Sequence, residues 1–149
     1  MSESFTVQLW WLYRGGKHPP TAPPTKGSVD PYVNRRTGKF GVKPNNPQLE
    51  AWQHQVALQV MAARPSGWPR DGAYRLDIEY QIRRARERIG QKHVKHKPDL
   101  DKLDRAVFDA LSGVVYDDDG QVSEQSSKKV YGFAVGPPGA KITITLLDE

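Results

Sequence analysis

Residues 73–83, Ala-Tyr-Arg-Leu-Asp-Ile-Glu-Tyr-Gln-Ile-Arg, alternate apolar and polar side chains along their whole length. Tyr74, Leu76, Ile78, Tyr80 and Ile82 fall on one side of a strand, and Arg75, Asp77, Glu79, Gln81 and Arg83 on the other. A strand with one apolar and one wet face belongs to a sheet covered on one side only. Two flanking segments have the helical period needed to cover it. Upstream, Asn46-Pro47 supplies a capping side chain and a first-turn proline, and Leu49, Trp52, Val56 and Val60 follow with Ala57 and Met61 on one face. The other face carries Glu50, Gln53, His54 and Gln55, on which His54 reads as a solvated side chain, and Arg64-Pro65-Ser66-Gly67 ends the helix. Downstream, Pro98 disfavours helix at Lys97, and Leu100, Leu103, Val107, Ala110 and Leu111 form the stripe of a second helix that stops near Ser112-Gly113.

Further out, Phe5, Val7, Leu9 and Trp11 predict an N-terminal strand; Trp10 breaks the alternation and is expected to be covered rather than offered as a base-stacking platform. Gln121 to Val135 predicts a strand that Gly136-Pro-Pro-Gly139 turns back as a hairpin. Its partner is a last strand in which Ile142, Ile144 and Leu146 alternate with Thr143, Thr145 and Leu147. The expected fold is α+β, one domain over residues 1–149, with a small mixed β-sheet and two main helices packed on one face.

Between the first strand and the first helix, residues 14–47 are rich in proline and glycine and predict a long loop with a short hairpin around Tyr32 to Val42. This loop carries Lys17, His18, Lys26, Arg35, Arg36, Lys39 and Lys43, which fit equally a solvated tether and a basic arm on a DNA backbone. Gly15-Gly16-Lys17 lacks the first glycine and the hydroxyl residue of a phosphate-binding P-loop.

Charge is distributed unevenly. Residues 99–119 hold Asp99, Asp101, Asp104, Asp109, Asp117, Asp118 and Asp119 against Lys102 and Arg105, a local charge of −5 in a chain of net charge +5. Immediately before this island stand Arg83, Arg84, Arg86, Arg88, Lys92, Lys95 and Lys97, with His93 and His96 among them. A basic run leading into an acidic island predicts phosphate contact beside a site for divalent cations. His93 and His96 lack a third ligand nearby and read as loop residues. The absence of cysteine excludes disulfides, zinc–thiolate sites and cysteine nucleophiles, and a pI of about 9.5 favours a nucleic-acid partner. No apolar run reaches the length of a membrane span or signal-peptide core, so a soluble cytoplasmic protein with no membrane partner is expected.

Asp101, Arg105 and Asp109 stack at i, i+4 and i+8 on the second helix, with Asp99 at its first turn. Asp117-Asp118-Asp119-Gly120 ends the apolar run Val114-Val115-Tyr116. Either the first pair caps a helix and the triplet fills a turn, or the two blocks meet and offer hard oxygen ligands to Mg²⁺. An EF-hand does not fit, because setting Gly120 at its glycine position puts Val115 where the first Asp must stand.

Residues 98–111, Pro-Asp-Leu-Asp-Lys-Leu-Asp-Arg-Ala-Val-Phe-Asp-Ala-Leu, with residues 116–122, Tyr-Asp-Asp-Asp-Gly-Gln-Val, closely resemble the signature of the RusA family of Holliday-junction resolvases. Lys26-Gly-Ser28, Thr37-Gly-Lys39 and Leu49-Glu-Ala-Trp52 add a weaker resemblance upstream. The resemblance implies a homodimeric, Mg²⁺-dependent endonuclease, with Mn²⁺ as a substitute, that makes paired symmetrical nicks across four-way DNA junctions. Junction clearance in recombination, repair or phage DNA packaging is the process the family implies. It carries the metal-binding carboxylates over to Asp99, Asp101 and Asp119, with Asp118 as the neighbouring acid. Lys102 replaces the family's usual Asn, and Arg105 stands where the family has an important Lys. Both are expected to stabilise charge at the scissile phosphate, although a planar guanidinium and a compact ammonium are not equivalent. The basic residues Arg83, Arg84, Arg86, Arg88, Lys92, Lys95, Lys97, Arg35, Arg36 and Lys39 are expected to contact DNA. Two competing functions are a junction-binding protein that has lost its chemistry and a general flap or branched-DNA nuclease.

Overall fold

The structure is a computed structural model that describes residues 3–15, 18–27, 31–33, 36–42, 47–132 and 136–147. Strand β1 (Ser4–Trp10) is followed by a short hairpin, β2 (Pro31–Val33) and β3 (Phe40–Val42), then by helix α1 (Pro47–Ala63) and strand β4 (Ala73–Ile82). Helix α2 (Leu100–Leu111), β5 (Val122–Tyr131) and β6 (Gly139–Leu147) complete the order, with single 3-10 turns at Arg86–Arg88 and Asp119–Gln121. The main sheet is four-stranded and mixed, in the order β1-β6-β4-β5.

Alternation along β4 does what the sequence predicts except at Gln81, which is buried although it falls on the polar side. Tyr74, Leu76, Ile78, Tyr80 and Ile82 are buried, and antiparallel pairing sets Leu76 beside Ile144 and Ile78 beside Ile142 of β6. Val7 of β1 pairs with Ile142 in turn, so one continuous apolar face runs across three strands. Trp52, Val56 and Val60 of α1 and Leu103, Ala106, Val107, Ala110 and Leu111 of α2 join it in one core. Gln53 of α1 also donates to the carbonyl of Ala106 at 3.1 Å, tying the helices together. Each fully buried aliphatic side chain there contributes roughly 1.5–3 kcal/mol. The opposite face is polar and cross-linked: Arg75 bridges Asp77 and Glu124, and Gln81 donates to Glu79.

Three expectations change. The last two strands do not form a hairpin: among the described residues β5 pairs only with β4, in parallel, and β6 inserts between β4 and β1. Burial explains the exchange, because Ala140, Ile142 and Ile144 are fully buried and suit an interior strand, whereas Ser123 to Ser126 of β5 are exposed and suit an edge. Strand β5 also stops at Tyr131; residues 133–135 lie outside the described residues. Trp10 is 41% exposed rather than covered, since Val7, Leu9 and Trp11 take the core face and leave it on the other.

In the long loop, β2 and β3 form the expected hairpin. Residues 18–27 are not a free tether. Pro23 and Pro24 are buried, the Lys26 amide donates to the Lys102 carbonyl at 3.1 Å, and the Arg83 amide donates to the Thr21 carbonyl at 2.8 Å. Lys17, Arg35, Lys43 and the capping Asn46 lie outside the described residues.

Candidate active site

The segment from β4 through α2 to β5 is a crossover between parallel neighbours, so α2 begins at the edge where β4 and β5 end. In open sheets, the space beyond the carboxyl ends of parallel strands is where ligand sites are built. The basic connection from Arg83 to Asp99 occupies that edge. Arg84 stacks its guanidinium 4.1 Å from the Tyr131 ring centroid and donates to the carbonyls of Arg88 and Gln91 at 3.0 and 2.7 Å. It therefore braces the loop from within. Lys129 of β5 donates to the carbonyls of His96 and Pro98 at 2.7 and 2.9 Å, fixing the backbone that enters α2.

Asp99 is the N-cap residue of α2, but its side chain makes no capping hydrogen bond. The carboxylate instead meets Lys97 at 2.8 Å and Lys102 at 3.4 Å. Lys97 first, and Lys102 after it, hold the Asp99 carboxyl below its usual pKa. Asp101 is exposed on the first turn, and Arg105 is exposed one turn further along the same stripe.

Asp118 behaves differently. Its side chain accepts from the Gly120 amide at 2.9 Å, while the Gln121 side chain accepts from the amides of Asp117 and Asp118, both at 2.9 Å. Gln121 also donates to the carbonyls of Arg70 and Gly72, so the turn is pinned to the chain entering β4. Asp118 is a cap, Asp117 lies 3.6 Å from Arg70, and Asp119 is exposed on the rigid turn they make.

The two acidic blocks do not meet within one chain. Helix α2 has twelve residues, about 18 Å of axis, with Asp99 and Asp101 at its start and Asp117 to Asp119 beyond its end. Among the described residues no group of three His, Asp or Glu side chains could hold a metal ion, so a three-carboxylate Mg²⁺ site does not fit a single subunit. The crossover causes this, because α2 runs back along β5 and holds the acids at its two ends apart. The remaining acids are engaged: Asp109 pairs with Lys26, and Asp104 is buried, accepting from the hydroxyls of Tyr80 at 2.7 Å and Ser127 at 2.8 Å. Burial raises the Asp104 pKa.

Of the expected DNA contacts, Lys92, Lys95 and Lys97 are exposed, Arg83 and Arg88 are half-buried, and Arg86 lies in a 3-10 turn. Arg36 and Lys39 are exposed in the turn of the β2–β3 hairpin, and Arg35 lies outside the described residues. Sequence reasoning missed Lys129 as a brace and Asp104 as a core group. The second was detectable, since position 104 falls beside Leu100 and Leu111 at the edge of the apolar stripe; the first was not, because its partners are more than thirty residues away.

Among the described residues no helix is long and apolar enough to cross a membrane. No curated protein sequence matches the chain significantly. The family model for endodeoxyribonuclease RusA matches residues 21–145, from the packed loop to β6, and includes both acidic blocks. The chain belongs to the RusA endodeoxyribonuclease family.

Proposed function

We propose that the protein is a Mg²⁺-dependent endonuclease that resolves four-way DNA junctions in the cytoplasm by paired, symmetrical nicks, and that it works as a homodimer. The observation carrying the dimer is the separation of the acidic blocks. Half-buried Asp99 and exposed Asp101 stand at the start of α2, and exposed Asp119 stands beyond its end. In a two-fold pair, whatever one copy offers the second, the second offers back. Docking the start of one α2 against the Asp119 turn of the other therefore yields two equal sites, one for each of two strands.

In each site Asp99 and Asp101 of one copy and Asp119 of the other are the ligands, with Asp118 holding the Asp119 turn. The cation, Mg²⁺ or Mn²⁺, supplies an activated water and charge neutralisation when bound. Arg105, assisted by Lys102, stabilises charge on the scissile phosphate, and the 3′ oxygen leaves. Arg83, Arg86, Arg88, Lys92, Lys95, Lys97, Arg36 and Lys39 bind the DNA backbone and make affinity depend on salt.

Subunit mixing tests this. Asp101→Asn and Asp119→Asn proteins should each be inactive on a labelled junction in Mg²⁺. Their mixed dimer would carry one doubly altered and one intact site, so single nicks should return without paired resolution. No recovery despite subunit exchange would overturn the shared site. Wild-type binding that persists in EDTA with no product under Mg²⁺ or Mn²⁺ would leave a junction-binding protein, and equal cleavage of flaps would make it a general branched-DNA nuclease.

A further inference from the structure

A cleft beside the end of β1 lies apart from the acidic residues and shares only Arg83 with the backbone contacts proposed above. It encloses about 420 Å³, within the usual range of small-ligand sites. Trp11 and Tyr13 lie against it with stacked rings, 5.4 Å between centroids and 11° between planes. Pro138 lines another side, its carbonyl accepting from the Trp11 amide at 2.8 Å. Arg14, His18 and Arg83 complete the lining, and no carboxylate is among the residues that line it. Trp11 is only 3% exposed, and its indole Nε1 is buried without an acceptor among the described residues.

These features select a chemistry. Stacked rings favour a flat conjugated group, and the arginines favour one attached to phosphate. A nucleotide has both. The cleft also shares an edge with the candidate active site. Gly139 pairs with both Trp10 and Gln81, Ile82 pairs with Tyr131, and Lys129 near that end of β5 reaches Pro98 beside Asp99. We propose that the cleft receives one unpaired nucleotide of a branched DNA, its base on the Tyr13–Trp11 stack and its phosphates on Arg14 and Arg83. This rests on the branched-DNA reading above. Taking a base out of a helix is least costly where pairing is already interrupted, as at a branch point.

The test measures equilibrium binding in EDTA, so that cleavage does not intrude, with two probes: a four-way junction carrying an abasic site at successive positions around the branch point, and a linear duplex with one bulged nucleotide. Tyr13→Ala and Arg14→Gln are compared with wild type, with Tyr13→Phe as the conservative control and thermal unfolding as the check on folding. At one branch position, removing the base should weaken wild-type binding about tenfold, the scale of one base–aromatic stack. Tyr13→Ala should weaken binding of the intact junction by a similar factor, and the two losses should not add, as for any pair that interact directly. Tyr13→Phe should restore the loss. Junction binding unaffected by Tyr13→Ala, or losses that add, would overturn the cleft while leaving the resolvase reading intact. Tyr13-dependent binding of the bulged duplex with no affinity for the junction would keep the cleft and remove the resolvase. Failure to bind either probe would remove both.

Discussion

The Lys129 ammonium on β5 donates to the carbonyl oxygen of Pro98, the residue before Asp99, at 2.9 Å. It holds the entry to α2 without touching the reacting groups. Lys129→Met should therefore lower single-turnover cleavage about tenfold, as lost outer supports of metal ligands commonly do, while junction affinity in EDTA stays near wild type. An unchanged rate, or a loss confined to binding, would assign Lys129 to the DNA backbone instead.

Lys102 and Arg105 occupy different surroundings. Lys102 stands 3.4 Å from Asp99, whose carboxylate Lys97 also holds, so its charge is partly duplicated. Arg105 projects from the stripe that carries Asp101. Arg105→Ala should cut turnover by about 10²–10³, the scale of losing one donor to a developing oxyanion, and Lys102→Asn by far less. Single-turnover rates in the reverse order would exchange the two roles.

Asp104 gives a pH-dependent prediction. Burial raises its folded pKa, so ionising Asp104 costs more in the folded chain than in the unfolded one. Its penalty is absent below the ordinary carboxylate pKa and grows as pH rises through the raised value. Both Tyr80 and Ser127 donate to Oδ1, which asparagine retains as an acceptor. Asp104→Asn should thus match or exceed wild-type stability at neutral pH, the two differing less as the solution is made acidic. Asp104→Ala should lose about 1–3 kcal/mol by leaving the Tyr80 hydroxyl buried without an acceptor. Urea unfolding from pH 4 to 8 distinguishes these outcomes.

Gly139 opens β6 opposite Trp10 of β1. A Cβ there would lie 2.2 Å from the Leu9 carbonyl oxygen and 2.8 Å from the Trp10 ring. Because the first neighbour is backbone, the strands must separate to admit it. Gly139→Ala should cost about 1–3 kcal/mol in urea unfolding. A midpoint equal to wild type would show that the β1–β6 edge yields freely.

Local periodicity made the elements legible. The alternation of Tyr74 to Ile82, the stripe from Leu100 to Leu111 and the start at Pro47 all correspond to structure. The order of strands was not legible, because a turn rich in glycine and proline such as residues 136–139 joins neighbours and non-neighbours alike; only the burial of Ile142 and Ile144 against Ile78 and Leu76 tells them apart. The same limit hid the geometry of the acids. Their spelling identified the family, whereas the distance between Asp101 and Asp119 depends on α2 lying along β5, a long-range fact. Arg84 illustrates the point at one residue: a charge run reads as solvent-facing, yet the Tyr131 ring beneath it comes from a strand more than forty residues away.

Strand β6 is the last element in sequence and yet lies inside the sheet, between β1 and β4. Until it arrives, β1 has no ladder to join and β4 is paired on one side only. The sheet must therefore be closed by its final strand, joining contacts more than 130 residues apart, such as Thr6 with Thr143. Topology of this kind slows folding, since chain entropy is surrendered before the pairing that offsets it forms. It also offers a safeguard: a chain interrupted before residue 139 carries every acidic residue of the proposed site but lacks the strand that joins β1 to β4, so fragments should hold those residues without the frame that positions them.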